Sequence, residues 1–309
     1  MSRVATHRVA GETSDWKQQL EMRTNERTLI TLLRVGVPRA VGVPFKRFAG
    51  ALTYRTGELM GQGSAQRLSV EGNAPVWLAL HGYCGTPEEM RLVVELAAEL
   101  GFAAGAPVLA GHGSHARDLA HLSYADWLDG VRPALMAAAE RGPVLVFGLS
   151  LGSLLAVELA LAFPERILGL VLLSNAFFLS PFPAWPLRCV DKLGLPDFGV
   201  PKAYSDIGDP EARRTHLTYS AQPVRPAISL VRAADRLFER LPELRSPTLI
   251  VHGAKDRLCP VSNAWRVAER MGTPDVRVVV LPRSHHIVTR DFDREQLRSE
   301  LRQFVRRLT

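Results

Sequence analysis

Residues 143–154 read PVLVFGLSLGSL, an apolar run that passes through Gly148, Ser150 and Gly152 and continues into LLAVELALA, a stretch of helical composition. A strand that turns into a helix within one residue brings two backbones close together. Glycines on both sides of the turn remove the side chains that would obstruct that approach. Ser150 then projects its hydroxyl into the open, with the first amides of the helix behind it, where developing negative charge is favoured. A buried serine that only caps a helix needs no glycine at either flank.

The same rhythm extends outward from this turn. From about Pro75 onward, short apolar runs alternate with longer segments of helical spacing: VWLALHG (76–82), FAAGAPVLAG (102–111), PVLVFGLS (143–150), ILGLVLLSNA (167–176), PTLIVHG (247–253) and VRVVVLP (276–282). Continuous apolar runs of this length fit strands buried on both faces, and helices between them imply right-handed crossovers. The expected fold class is therefore α/β, with a mostly parallel central sheet flanked by helices. Between about residues 176 and 235 the rhythm fails. Eight prolines from Pro181 to Pro226 punctuate that segment, which also carries Phe177, Phe178, Phe182, Trp185 and Phe198. It reads as a small cap inserted over an apolar site, within a domain of residues 45–309.

Residues 1–44 carry no recognisable chemistry and read as an N-terminal extension. Within it TLITLLRVGVPRAVGVPF (28–45) is apolar but broken by Arg34, Pro38, Arg39 and Pro44. A helix packed on the core and followed by a turn-rich linker is the favoured reading there, with contact to a membrane surface as the alternative. No stretch has the length and apolarity of a spanning helix, and the N-terminus lacks a signal-peptide pattern.

Composition narrows the function classes. The chain of 309 residues is 47% hydrophobic and 22% charged, which excludes a disordered or collagen-like protein. Its net charge of +7 is spread along the sequence without a basic run, so no nucleic-acid partner is expected. Cys84, Cys189 and Cys259 form neither a CxxC pair nor an even framework, which points to a reducing, cytoplasmic setting. The histidines lack ligand spacing, and the glycines around His112 do not make a dinucleotide fingerprint, so no metal and no organic cofactor are expected.

A serine hydroxyl needs a base within hydrogen-bond reach, and the base needs an acceptor that fixes its tautomer. Asp256 lies just past the PTLIV strand, and His285 and His286 lie in the loop after VRVVVLP, giving the chain order Ser, Asp, His. Adjacent loop side chains seldom point at one atom, so only one of the two histidines can serve. A tetrahedral intermediate also needs two preorganised N–H donors, and the amide of Leu151, directly after the serine, is one candidate.

Taken together, LALHGYCGTPEEM (78–90), APVLAGHG (106–113), ADW (125–127), FGLSLG (147–152), HGAKDRLCP (252–260) and SHHIVTRD (284–291) resemble the α/β-hydrolase superfamily, and within it the bacterial carboxylesterases and monoacylglycerol lipases. The similarity spans about residues 74–308 and is weak through the cap. It implies His286 as the base, because that loop reads S-x-H followed by apolar residues and an acid, here Ser284, His286, Ile287, Val288 and Asp291. It also implies the amide of Tyr83, after His81–Gly82, as the second oxyanion donor. His81, His112 and Trp127 match positions that serve loop shape. Ser153 stands where many relatives have glycine, so the elbow helix is expected either to sit farther from its strand or to use that hydroxyl near the site.

The resemblance implies a serine hydrolase working through an acyl-enzyme on carboxylic esters, either short- to medium-chain acyl esters or monoacylglycerols, with a small-molecule substrate carrying an apolar acyl group. Alternatives are a thioesterase, amidase or C–C bond hydrolase using the same three side chains, or a non-catalytic hydrolase-like binding protein.

Overall fold

The computed structural model describes residues 57–192, 197–202 and 205–309, with only the backbone of residues 182–186. The extension 1–44, the apolar stretch 28–45, the start of the domain at 45 and the side chains of Phe182 and Trp185 lie outside the described residues.

Eleven strands occur among the described residues: β1 (Leu59–Met60), β2 (Leu68–Val70), β3 (Asn73–Leu80), β4 (Phe102–Ala106), β5 (Val144–Leu149), β6 (Ile167–Leu173), β7 (Gly199–Pro201), β8 (Thr218–Tyr219), β9 (Ala221–Pro223), β10 (Thr248–Gly253) and β11 (Val276–Leu281). Seven of them form one sheet in the order β11-β10-β6-β5-β3-β4-β2. All six expected strands are present in it and pair in parallel, while β2 joins the edge antiparallel, with Leu68 opposite Ala106. The helices are α1 (Arg91–Glu99), α2 (Ala116–Leu119), α3 (Tyr124–Ala139), α4 (Leu151–Ala162), α5 (Pro181–Lys192), α6 (Pro210–Thr215), α7 (Val224–Arg240), α8 (Asn263–Arg270) and α9 (Arg294–Leu308).

Burial on both faces explains why inner strands such as β5 and β6 are continuously apolar. Along β5, Val144 and Val146 enter the core that includes Trp127, Leu154 and Leu155. Leu145, Phe147 and Leu149 enter the opposite core, with Trp77, Val171, Leu301 and Phe304. Phe147 stacks on Trp77 at 4.6 Å between ring centroids. Two apolar layers on one sheet make its central strand an inflexible platform, so the residue that follows β5 is held in a fixed place.

The insertion after β6 contains α5, α6, the short pair β7–β9, and β8, which pairs with β1 ahead of the central sheet. Its expected limit near residue 235 falls inside α7, which runs unbroken to Arg240. Leu230, Ala233, Ala234 and Leu237 of that helix belong to the core beneath the sheet, so α7 is the crossover helix leading to β10. Phe177 and Phe178 do not form a free roof. Both pack against Phe238 of α7, at 6.3 and 4.8 Å between centroids.

Candidate active site

Ser150 follows β5 without a spacer and caps α4 with φ 54° and ψ −113°, a conformation that L residues rarely adopt. Such strain costs about 1–3 kcal/mol and persists only where the surroundings dictate it. Those surroundings are backbone. Ser150 N–H donates to Leu173 O of β6 at 3.0 Å. A Cβ on Gly148 would collide with Gly152 O, and one on Gly152 with Leu80 O at the end of β3.

Helix α4 is therefore seated directly on the strand ends, and Ser153 does not hold it away. The Ser153 hydroxyl, fully buried, donates to Ser150 O and accepts Ala176 N–H, so it serves the turn. Gly152→Ala should overpack this junction and lower stability by about 1–3 kcal/mol. A urea unfolding midpoint unchanged from wild type would contradict that.

Asp256 and His286 are brought together. His286 Nδ1–H donates to Asp256 Oδ2 at 2.8 Å, and both side chains are buried. Asp256 Oδ1 accepts the amides of Leu258 and Cys259 at 2.9 and 2.8 Å. A second imidazole, His252, places Nε2 3.1 Å from Asp256 Oδ2 and 3.1 Å from Cys259 O; both neighbours accept, so that nitrogen carries the proton. Burial opposes ionisation of Asp256, but His286 and His252 outweigh it and hold the carboxyl well below the usual carboxylate range. Burial also opposes the charge on His286. Asp256, with Asp206 and Glu89 farther off, reverses that and raises its pKa above the ordinary value of 6.5.

His285 is turned elsewhere, its backbone N–H donating to Asp291 Oδ2 at 2.7 Å and its Nδ1 lying 3.3 Å from the same oxygen. No hydrogen bond joins Ser150 Oγ to His286 among the described residues. His286 Nε2, opposite the nitrogen committed to Asp256, makes none either.

The loop after β3 is fastened at nearly every peptide. His81 Nε2 accepts Leu109 N–H at 3.1 Å, so its Nδ1 carries the proton and donates to Gly82 O at 2.9 Å. Burial keeps His81 below its ordinary pKa and therefore neutral. His112 Nε2 accepts Cys84 N–H at 3.2 Å; burial and His81 beside it bring its pKa down to about 3. Cys84 O accepts the Thr218 hydroxyl at 2.8 Å and Tyr219 N–H at 3.2 Å, while the Tyr83 hydroxyl donates to Pro223 O. Tyr83 thus stands in a loop whose neighbouring peptides are fixed. The amide of Leu151, first in α4, has no acceptor within its own helix.

Glu89 escaped the sequence reading. It is 2% exposed, and its Oε2 accepts Gly82 N–H at 2.8 Å. His252 escaped as well, although the HG that ends PTLIVHG is the signal that could have marked it. No group of three or more His, Cys, Asp or Glu side chains among the described residues is arranged to hold a metal ion. No helix there is long and apolar enough to cross a membrane.

A mostly parallel sheet with this strand order, its flanking helices and an elbow between β5 and α4 constitute the α/β-hydrolase fold. Residues 73–293 match the serine aminopeptidase S33 family, Hydrolase_4, and the chain belongs to that family. It is 28% identical over 233 residues to a thermostable monoacylglycerol lipase of Bacillus sp. (strain H-257), covering 73% of this chain and 88% of the lipase. It is 25% identical over 257 residues to the mitochondrial palmitoyl-protein thioesterase ABHD10 of Mus musculus, covering 81% and 80%. Among solved structures, one from the metagenome-derived lipolytic enzymes LipS and LipT superposes with a TM-score of 0.72 at 28% identity, covering 80% of this chain and all of that one.

Proposed function

We propose that this protein is a serine hydrolase that cleaves carboxylic esters with apolar acyl groups, monoacylglycerols foremost, through an acyl-enzyme. The observation that carries the reading is the 2.8 Å Asp256–His286 hydrogen bond, which commits Nδ1 and turns Nε2 to proton transfer, in a fold whose central strand ends on a strained serine. In this reading Ser150 attacks the ester carbonyl, His286 accepts its proton and returns it to the leaving alcohol, and Asp256 holds the imidazole in the required tautomer. The amides of Tyr83 and Leu151 receive the oxyanion. Water then repeats the sequence on the acyl-enzyme.

The monoacylglycerol lipase relative and the lipolytic structural neighbour support an ester over the peptide bond that the family description suggests. A thioester is the second reading, favoured by the thioesterase relative. A cytoplasmic location belongs to the same proposal and is supported by the three free cysteines, Cys84 and Cys259 buried and Cys189 half-buried. A p-nitrophenyl ester series from acetate to palmitate, run beside monoacylglycerols and octanoyl-CoA, tests it. Turnover confined to the thioester would replace the ester reading, and turnover of none would end both.

The pH dependence follows from His286. The base must be neutral to accept a proton, and its pKa lies above the ordinary 6.5, so kcat/KM should be full at alkaline pH and fall as pH drops through a midpoint above 6.5. An acid limb centred below that value would contradict the assignment.

A further inference from the structure

The loop carrying Tyr83 is gripped from behind by a buried polar chain whose outer half belongs to the insertion. Glu89 sits in the short turn Pro87–Met90 that precedes α1. Its Oε2 accepts Gly82 N–H at 2.8 Å, and its Oε1 accepts His216 Nε2–H at 2.9 Å. On the far side of that ring, Nδ1 accepts the Ser205 hydroxyl at 2.6 Å. All three side chains are buried, at 2%, 2% and 5% exposure.

Donor and acceptor roles along the chain are mutually consistent. Burial pushes His216 below its ordinary pKa and keeps it neutral, with Nε2 as donor toward Glu89 and Nδ1 as acceptor from Ser205. Burial works against the Glu89 carboxylate, but the hydrogen bonds it accepts from His216 and from Gly82 N–H bring its pKa down to about 2, so it is ionised. A charge-assisted acceptor of this kind holds an amide roughly twice as strongly as a neutral one.

The position of this carboxylate gives the chain its meaning. A Cβ built on Gly82 would lie 3.2 Å from Glu89 Oε2 and 3.4 Å from Ser150 Cβ, so Gly82 is the one layer between the carboxylate and the elbow serine. A Cβ on Gly85 would collide with Glu89 Oε1, so the loop is wrapped around the carboxylate. The segment supplying His216 is itself tied to the site loops, since Ile287 N–H donates to Asp206 O and Arg257 N–H to Asp206 Oδ2.

We infer that Glu89 is a positioning residue for the oxyanion loop, and that His216 and Ser205 of the insertion fix Glu89 in turn, so that the insertion sets the placement of the Gly82–Tyr83 peptide. The inference rests on the serine-hydrolase reading for its catalytic consequence. Its structural half stands independently of that reading.

The test combines kinetics on p-nitrophenyl butyrate with amide hydrogen exchange across Gly82–Gly85, in wild type, Glu89→Ala, His216→Ala and Glu89→Gln. Misplacing one oxyanion donor should lower kcat in the two alanine variants by about 10- to 100-fold, with KM within about twofold of wild type. Loop amides should exchange faster in both. Glu89→Gln keeps an acceptor for Gly82 N–H, and the Ser205 hydroxyl can reverse its role to suit, so most of kcat and of the protection should return.

Should either alanine variant fail to fold, Ser205→Ala removes only the outer donor and should still cost about threefold in kcat at constant KM. Unchanged exchange at Gly82–Gly85 in the alanine variants would overturn the inference. So would an effect confined to KM, or a Gln variant as damaged as Ala. Absence of any wild-type turnover that Ser150→Ala removes would instead fell the ester reading, and the exchange data would still decide whether the insertion governs the loop.

Discussion

Ser150→Ala is expected to lower kcat on p-nitrophenyl esters by on the order of 10⁶-fold, the loss seen when a nucleophile that acts as part of a unit is removed. The stability of the variant should stay within about 0.5 kcal/mol of wild type, as for a substitution that removes no packed group. Ser150 Oγ makes no hydrogen bond among the described residues, and the backbone contacts that enforce φ 54° involve Leu173, Gly148 and Gly152, none of which depends on the hydroxyl. Folding and chemistry are therefore separable at this position. A urea midpoint equal to wild type, together with lost turnover and lost labelling by a fluorophosphonate, is the expected pair of results. Residual turnover within tenfold of wild type in the folded variant would remove Ser150 from the mechanism.

Asp256→Asn should cost about 10⁴-fold in kcat, by a route the geometry specifies. Oδ1 is pinned by the amides of Leu258 and Cys259, which donate and so must face an oxygen. The asparagine NH₂ is thereby turned toward His286 and His252. It would donate to His286 Nδ1, move the imidazole proton to Nε2 and leave the serine without an acceptor. The same substitution removes the main influence that raises the His286 pKa, so the acid limb of kcat/KM should shift downward in the variant. A variant that keeps wild-type kcat would show that Asp256 does not set the tautomer.

How much of this could be read beforehand differs from element to element. The parallel strands were legible as apolar runs because burial on both faces of the inner ones leaves little room for polar residues, and the elbow was legible because two backbones meet there and demand Gly148 and Gly152. β2 was not, since a three-residue edge strand, with Leu68 and Val70 half-buried and Ser69 exposed, is too short for its alternation to stand out. The pairing of Asp256 with His286 and not His285 came from the loop pattern, and the structure adds what the pattern lacked, an Asp291 that occupies His285.

Glu89 was hidden for a different reason. A Pro followed by two acidic residues before an apolar stretch has the composition of an ordinary helix start, where carboxylates face solvent and meet the dipole. Here the turn is a tight 3₁₀ preceding α1, and it carries Glu89 inward instead. Its partners Ser205 and His216 lie more than a hundred residues away in the segment with the weakest resemblance to any pattern. Contacts of that range leave no local trace, so the brace behind the loop emerges only once the insertion is folded back.

The distribution of thiols carries a practical corollary. Cys84 and Cys259 are fully buried, and burial pushes the Cys84 thiol up to about 12 and that of Cys259 well above its ordinary value, so neither presents a reactive thiolate. Cys189, half-buried, lies on α5 in the inserted segment. A maleimide dye added to the unaltered chain would therefore settle on the insertion and leave the loops of Cys84 and Cys259 unmarked. The chain supplies its own attachment point for a fluorescent beacon, and movements of that segment during turnover could be followed optically without engineering a single residue.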